Sequence, residues 1–215
     1  MSFHHHTNGG GIVDDSAHVD PTAYVGRYAE VRGNAKLLGA ARVEEYARVI
    51  DNAIVSENAL VTGYACVSDN AQVGGNAKIT SDVRVLDSAV VTDSATAEDS
   101  ARISGNARVG TSTVVRGRAQ VKDNAKLSGK AVIGDDSTVC GRADVSGEAQ
   151  ILGKAVISGN ARVYERAIVS GHASVSDFAN VFGNAKVHKS AIVGGSSRVF
   201  GNADVGRNIT GSISE

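Results

Sequence analysis

Residues 31–48 read VRGNAK LLGAAR VEEYAR. Three six-residue units stand in register here, each with an aliphatic residue first and alanine fifth. Working outward from this stretch, the register runs from Val13 to Thr210, 33 hexads with neither insertion nor deletion. The first position is Val, Ile or Leu in 32 of them, Ala97 being the exception, so a single spacing governs nearly the whole chain. The fifth is Ala in 28, the exceptions being Val83, Thr113, Ser137, Ser197 and Ile209. Apolar residues separated alternately by two and four positions do not trace the 3.6-residue face of a helix. They do trace a short strand, because in Ala-x-Val-x the Ala and Val point to one side and the other two residues to the opposite side. The third position is Gly in 15 hexads and acidic in 12, and the fourth is Asn in 11, so the residues between strands carry turn chemistry. Each hexad therefore predicts one strand and one corner.

Three hexads close a triangle and make one turn, so the 33 hexads make 11 turns. Stacked at about 4.8 Å per strand, the rod is about 50 Å long. The expected fold is all-β: a three-sided, single-stranded parallel β-helix, with a Val and Ala lining. One turn alone cannot repay the ordering of its chain, so the array is expected to be cooperative. The organisation that follows is a leader or tag-like segment over residues 1–12, the repeat over 13–210 and a short tail over 211–215.

Composition narrows the function. The 215 residues hold 22 Lys and Arg against 23 Asp and Glu, a net charge of −1, which argues against a nucleic-acid partner held by bulk electrostatics. Aromatics make up 4% and Trp is absent, too few large side chains for an ordinary compact core. No run approaches the length of a membrane span and no apolar signal-peptide core follows Met1, so membrane insertion is not expected. The compartment stays open. Two cysteines, Cys66 and Cys140, make no disulfide framework, and the turns between them put them too far apart to bridge.

The hexads VRGNAK, ISGNAR and VFGNAK carry a resemblance to a known group. Over residues 13–210 the chain is similar to the left-handed parallel β-helix of the bacterial hexapeptide-repeat superfamily, in particular to the subgroup whose repeats run as GNARV and GNAKV. The left hand is implied by that resemblance alone, since general crossover preference predicts a right-handed connection. The resemblance further implies a homotrimer, acyl-CoA as co-substrate in the acyltransferases of the superfamily, and in one branch a metal for carbonic anhydrase chemistry. Those acyltransferases generally carry a catalytic His, a loop thrown out of the helix and a helical cap. This chain has no inserted loop.

Candidate residues follow from columns taken at every third hexad. Tyr164, Phe182 and Phe200 share one outward column, with Arg162 and Arg198 beside it, and Phe178 lies close in sequence. In a chain this poor in aromatics, such clustering has the composition of an interface or a ring-stacking site, although cross-strand stacking alone also accounts for it. Tyr28, Tyr46 and Tyr64 form a second column at a corner. Asn34, Asn52 and Asn70 are expected to stack their amides, and Arg118, Asp136 and Lys154 to form an exposed ladder of alternating sign. His172 and His188 lie on neighbouring turns across one corner, with no acidic residue at an adjoining position of either hexad. They are expected to face solvent, and no metal site is assigned. His4, His5 and His6 precede the repeat, and His18 is expected to face solvent.

Two functional classes stay open. The first is a non-enzymatic rod serving as spacer, scaffold or assembly component of a surface or virion assembly, needing no cofactor and associating with itself or another protein. The second is an acyl-CoA-dependent acyltransferase with His172 or His188 as base and a site between subunits.

Overall fold

The computed structural model describes residues 2–209 and 211–214. Thr210, which ends the last hexad, and the terminal Met1 and Glu215 lie outside the described residues. Every strand and corner follows from the hexad. A strand begins at the sixth position and ends at the first of the next unit, as in Lys36–Leu37, Arg42–Val43 and Arg48–Val49. Successive strands do not pair with each other. Each pairs in parallel with the strand three hexads away, as Arg48 and Val49 do with Cys66 and Val67. The result is three parallel sheets of 12, 11 and 12 strands, including the terminal pieces, wrapped as a solenoid of about 11 turns of about 18 residues. The first side runs from Ile12–Asp14 to Ile192–Val193, the second from His18–Val19 to Arg198–Phe200, and the third from Tyr24–Val25 to Asp204–Val205.

The inside is the Val and Ala lining. Val31, Ala35, Leu37, Ala41, Val43 and Ala47 fill one turn and are fully buried, and the pattern repeats along the rod. Three of the irregular fifth positions carry hydroxyls into this apolar interior, and each is satisfied by its own corner. The hydroxyls of Thr113, Ser137 and Ser197 donate to the carbonyls of Gly110, Gly134 and Gly194 at 2.9, 2.7 and 2.7 Å.

The corners correct one detail of the sequence reading. The left-handed residue is the third of the hexad and not the Asn at the fourth: fifteen Gly and fourteen non-Gly third positions have positive φ. At Gly75 the requirement is double, since φ is +68° and an added Cβ would meet the Asp93 backbone at 2.6–2.9 Å. The Asn residues stack, as expected of their column: Asn34 Nδ2 donates to Asn52 Oδ1 and Asn52 Nδ2 to Asn70 Oδ1, both at 3.4 Å.

Backbone donors are accounted for by position. Second, fourth and sixth residues donate to the next turn, as Arg32, Asn34 and Lys36 do to the carbonyls of Val49, Asp51 and Ala53. The fifth donates within its own corner, as Ala53 does to the Ile50 carbonyl at 3.2 Å, and the first lies in the paired strand, which leaves the N–H of the third residue. Acidic residues at the same position one turn earlier accept it: Asp87 from Gly105 at 2.8 Å, Asp99 from Gly117 at 2.9 Å, Asp177 from Gly195 at 2.8 Å. The abundance of Asp at that position thus has two causes, tolerance of the left-handed backbone and a carboxylate for an otherwise orphaned donor.

The segment before the repeat is part of the fold. Strand Phe3–His5 pairs antiparallel with Ile12–Asp14. The Asn8 carbonyl accepts the Val25 N–H at 3.1 Å, and its side-chain amide donates to the Ala23 carbonyl at 2.9 Å. At the other end, strand Ser212–Ser214 pairs with Arg198–Phe200 and Ile209 bridges to Val193.

Candidate functional site

The second side holds the aromatic column. In-register rows give stacked side chains the same rotamer and a spacing near that of two rings in contact, so aromatics three hexads apart lie face to face. Tyr164 and Phe182 stack with centroids 4.9 Å apart and planes 2° off parallel, and Phe182 and Phe200 at 5.2 Å and 8°. The Arg198 guanidinium lies 5.2 Å from the Phe182 centroid and 5.7 Å from that of Phe200, a cation beside both rings. This stacking uses the inner ring faces. What the column offers a partner is ring edges, the Arg198 guanidinium, and the Tyr164 face toward Ser146, a side chain too small to cover it.

Next to the column, on the same side, a recess of about 320 Å³ is lined by Asn124, Lys126, Arg142, Asp144, Asn160 and Arg162. Three cations face one carboxylate there, so its field is positive. Phe178 is 63% exposed and stands at the corner that enters this side, outside the stack. Its carbonyl accepts a hydrogen bond from the Asn180 amide at 2.8 Å. The three Phe that are close in sequence therefore divide into a stacked pair and a separate corner ring.

Tyr28, Tyr46 and Tyr64 stack at 5.3 and 5.2 Å, each at least half exposed, and the Arg27 guanidinium lies 5.6 Å from the Tyr28 centroid. They sit at the corner leading into the first side, near the N-terminal end. The two aromatic columns are thus at opposite ends of the rod and do not form one site. Of the expected ladder Arg118 and Asp136 form a bidentate pair, with Arg118 Nη2 donating to Asp136 Oδ2 at 2.9 Å and Nε 2.7 Å from Oδ1, while Lys154 joins no ion pair among the described residues.

The histidines separate. His172 is exposed and its ring has no side-chain partner among the described residues; its backbone N–H donates to the Lys189 carbonyl. His188 is less exposed, and its Nε2 pairs with Asp204 Oδ1. This partner is not visible within either hexad, because the two residues occupy different hexad positions, second and sixth, on adjacent turns. Lys186 and Asp204 are register partners, and His188 lies just beyond Lys186 on the same face; the column of His188 itself leads to Gly206, so the acid is reached only diagonally, through the neighbouring column of Lys186. His4 binds Asp15 at 3.1 Å, His5 the Gly10 carbonyl at 3.0 Å, and His6 is buried beside Asn8, so the three diverge. His18 is exposed, as expected, and its Nε2 lies 3.2 Å from Asp20. No group of three or more His, Cys, Asp or Glu able to hold a metal occurs among the described residues. No helix among them is long and apolar enough to cross a membrane.

Residues 101–117 and 155–171 match the family described as YdcK beta solenoid repeat. No curated protein matches the chain. Among solved structures, UDP-N-acetylglucosamine O-acyltransferase (LpxA) from Moraxella catarrhalis is 14% identical with a TM-score of 0.36, covering 80% of this chain and 65% of that one. The Francisella novicida UDP-N-acetylglucosamine acyltransferase is also 14% identical with a TM-score of 0.36, over 83% of this chain and 61% of that one. LpxA from Acinetobacter baumannii is 12% identical with a TM-score of 0.35, over 88% and 71%. The chain thus spans less than two thirds of the first two. The three-hexad strand register and the two matched segments define the chain as a β-solenoid of hexapeptide repeats, similar in those segments to the YdcK repeat.

Proposed function

We propose that the protein is a non-enzymatic interaction rod, a rigid spacer or scaffold that engages its partner through the second side. One observation carries this reading: an uninterrupted solenoid places Tyr164, Phe182, Phe200, Arg162 and Arg198 in one outward strip of a flat side. Ring edges with guanidinium neighbours suit contact with another protein surface. Replacing Phe182 and Phe200 together by Ser tests it. The expected result is a change in oligomeric mass by light scattering with the circular dichroism spectrum retained. An unchanged mass and unchanged binding would remove the reading.

A second reading is favoured by the His188–Asp204 pair, the arrangement a general base requires. It is an acyl-CoA-dependent acyltransferase. On one chain the residues present do not fit an acyl-CoA: His188 is on the outward surface of the third side, while recesses of 320 to 460 Å³ are lined by other residues. This reading therefore needs a neighbouring subunit to complete the site. Thiol release from acetyl-CoA that disappears in His188→Ala would establish it in place of the first.

A further inference from the structure

The C-terminal half of the chain is rich in cations: residues 101–215 hold 15 Lys and Arg against 9 Asp and Glu. Of the described carboxylates there, all but one have a partner within the chain. Asp123, Asp135, Glu165 and Asp177 cap the N–H groups of Gly141, Gly153, Gly183 and Gly195 at 2.7–2.9 Å. Asp136, Glu148 and Asp204 pair with Arg118, Arg166 and His188. Asp144 is the exception, with neither a hydrogen bond nor an ion pair among the described residues. It is the register partner of Lys126 on one turn and of Arg162 on the next, and with both of them and Arg142 it lines the recess of about 320 Å³. None of these three cations is ion-paired among the described residues either. The recess also breaks a column of amides. Asn106 Nδ2 donates to Asn124 Oδ1 at 3.4 Å, but Arg142 stands next in that column, so the side-chain N–H groups of Asn124 and Asn160 have no acceptor among the described residues.

We propose that this recess and the adjoining face of Tyr164 bind an anionic saccharide, a stretch of sulfated or uronate polysaccharide lying along the second side. The inference goes beyond the interaction-rod reading and does not need it, since the recess lies toward mid-rod from the exposed ring edges. Charge sets where the ligand lies. With Arg108 one row earlier and Lys122 across the corner, five cations stand against Asp123 and Asp144, a net +3. On the opposite border Lys130 and Arg166 are matched by Glu148 and Glu165, so the positive field is confined to this edge. Asp87 and Asp93 stand one row before Arg108 and exclude an anion from there. The favourable stretch runs from Arg108 to Arg162, about 14 Å at the spacing of stacked strands. The open face of Tyr164 looks over Ser146, the outward neighbour of Asp144, and a pyranose ring placed there continues the stack of Tyr164, Phe182 and Phe200. Asp144 decides the class. A carboxylate among cations repels a ligand that brings only anionic groups, but it accepts hydrogen bonds from hydroxyls, while Lys126, Arg142 and Arg162 donate to the sulfate or carboxylate and the free amides to other sugar oxygens. An acidic polypeptide supplies no such hydroxyls. A single-stranded nucleic acid needs ring faces open in series, and the two faces of Phe182 are both taken by stacking.

Calorimetric titration of the full chain at low salt tests this with a heparin oligosaccharide, an oligogalacturonate, neutral dextran, oligoglutamate and a thymidine oligonucleotide. Binding of the heparin or galacturonate chain is expected, weakening as salt rises, with none of dextran; the tighter of the two identifies the charged group. Arg142→Asn carries the amide column on from Asn124 to Asn160, so it removes a cation without threatening the fold, and it should weaken binding about tenfold or more. Tyr164→Ser should weaken it about threefold or more with the salt dependence unchanged. Asp144→Ala gives the sign. Where charge alone binds the ligand, losing a carboxylate tightens binding; where Asp144 accepts from a hydroxyl, binding weakens by about threefold or more. Circular dichroism confirms that each variant folds. No binding of either anionic saccharide overturns the proposal, as do equal binding of oligoglutamate or the oligonucleotide and tighter binding by Asp144→Ala. None of these results bears on the mass change expected on replacing Phe182 and Phe200, so the interaction-rod reading stands or falls separately.

Discussion

Asp87 accepts a hydrogen bond from the backbone N–H of Gly105, one full turn further along the rod, at 2.8 Å. The same column continues backward through Asp69, which accepts from Asp87 at 3.1 Å, and Asp51, which accepts from Asp69 at 3.3 Å. Asp87 also sits at φ 61°. Its replacement by Ala loses an acceptor and puts a Cβ residue without local hydrogen bonding into the left-handed region. The expected loss is about 1–2 kcal/mol, at the low end for a charged hydrogen bond because the group is exposed. Asp87→Asn keeps both an acceptor and the tolerance for that backbone, so it should cost under about 0.5 kcal/mol. Urea unfolding midpoints compare the two. Equal midpoints for the Ala and Asn variants would show that the cap contributes nothing.

Val83 and Ala97 exchange sizes. Val83 occupies an alanine position and Ala97 a valine position, on adjacent turns around one corner, and both are fully buried. Ala97 lies between Ile79 and Val115 in its sheet. Val83→Ala is expected to leave a cavity and cost about 1–3 kcal/mol, and Ala97→Val to overpack the wild-type interior. In combination the two should cost less than their sum by about 0.5 kcal/mol or more. Strict additivity in the double-mutant cycle would show that the two sites do not share space.

Much of this was legible before any coordinates. The Val31 and Ala35 positions, repeated in every hexad, dictate which residues line the interior, because a period-two strand has only one way to bury both. Stacking of Asn34 on Asn52 and of Phe182 on Phe200 follows from the three-hexad turn. The function of Asp87 was not legible, since the donor it satisfies is orphaned only by the direction of hydrogen bonding between turns. The His188–Asp204 pair escaped notice because it joins different hexad positions across a row boundary. Loss of the inner ring faces of Phe182 to stacking was also hidden, since composition alone does not distinguish a covered ring from an open one.

Burial pushes the thiols of Cys66 and Cys140 above the ordinary range, partly offset at Cys66 by Arg48 and Arg84 and at Cys140 by Lys122. A raised pKa means less thiolate at a given pH, and the thiolate is the nucleophile. Alkylation by iodoacetamide should therefore be slower than for a free cysteine at about pH 8, and its rate should still climb above about pH 9.5, where an ordinary thiol of pKa about 8.5 is already about nine-tenths ionised. Mass-spectrometric time courses across pH give the rates. A plateau at or below that pH would contradict the assignment.

The antiparallel strand Phe3–His5 protects the beginning of the rod. A parallel solenoid ends in strands whose backbone groups remain available to another chain, and such edges template association. Here the first edge is paired with a strand of the opposite direction, while Asn8 covers the N–H of Val25. Asp15 ties this cap down: hydrogen bonds from Ser2 and then His4 hold its carboxyl below the ordinary range. A carboxyl with a depressed folded pKa stabilises fully above its unfolded value, and that contribution disappears as pH falls through the folded value. Hydrogen exchange at the amides of Phe3–His5 should therefore accelerate as pH drops below about 4, relative to amides in the middle of the rod. Removing residues 1–10 makes the same point without acid. The bare strands Ile12–Asp14 and Tyr24–Val25 should then drive concentration-dependent association by backbone pairing, insensitive to salt, unlike contact through the charged second side. Light scattering at low and high salt separates the two. A truncated chain whose mass and salt response match those of the full chain would show that the cap is dispensable.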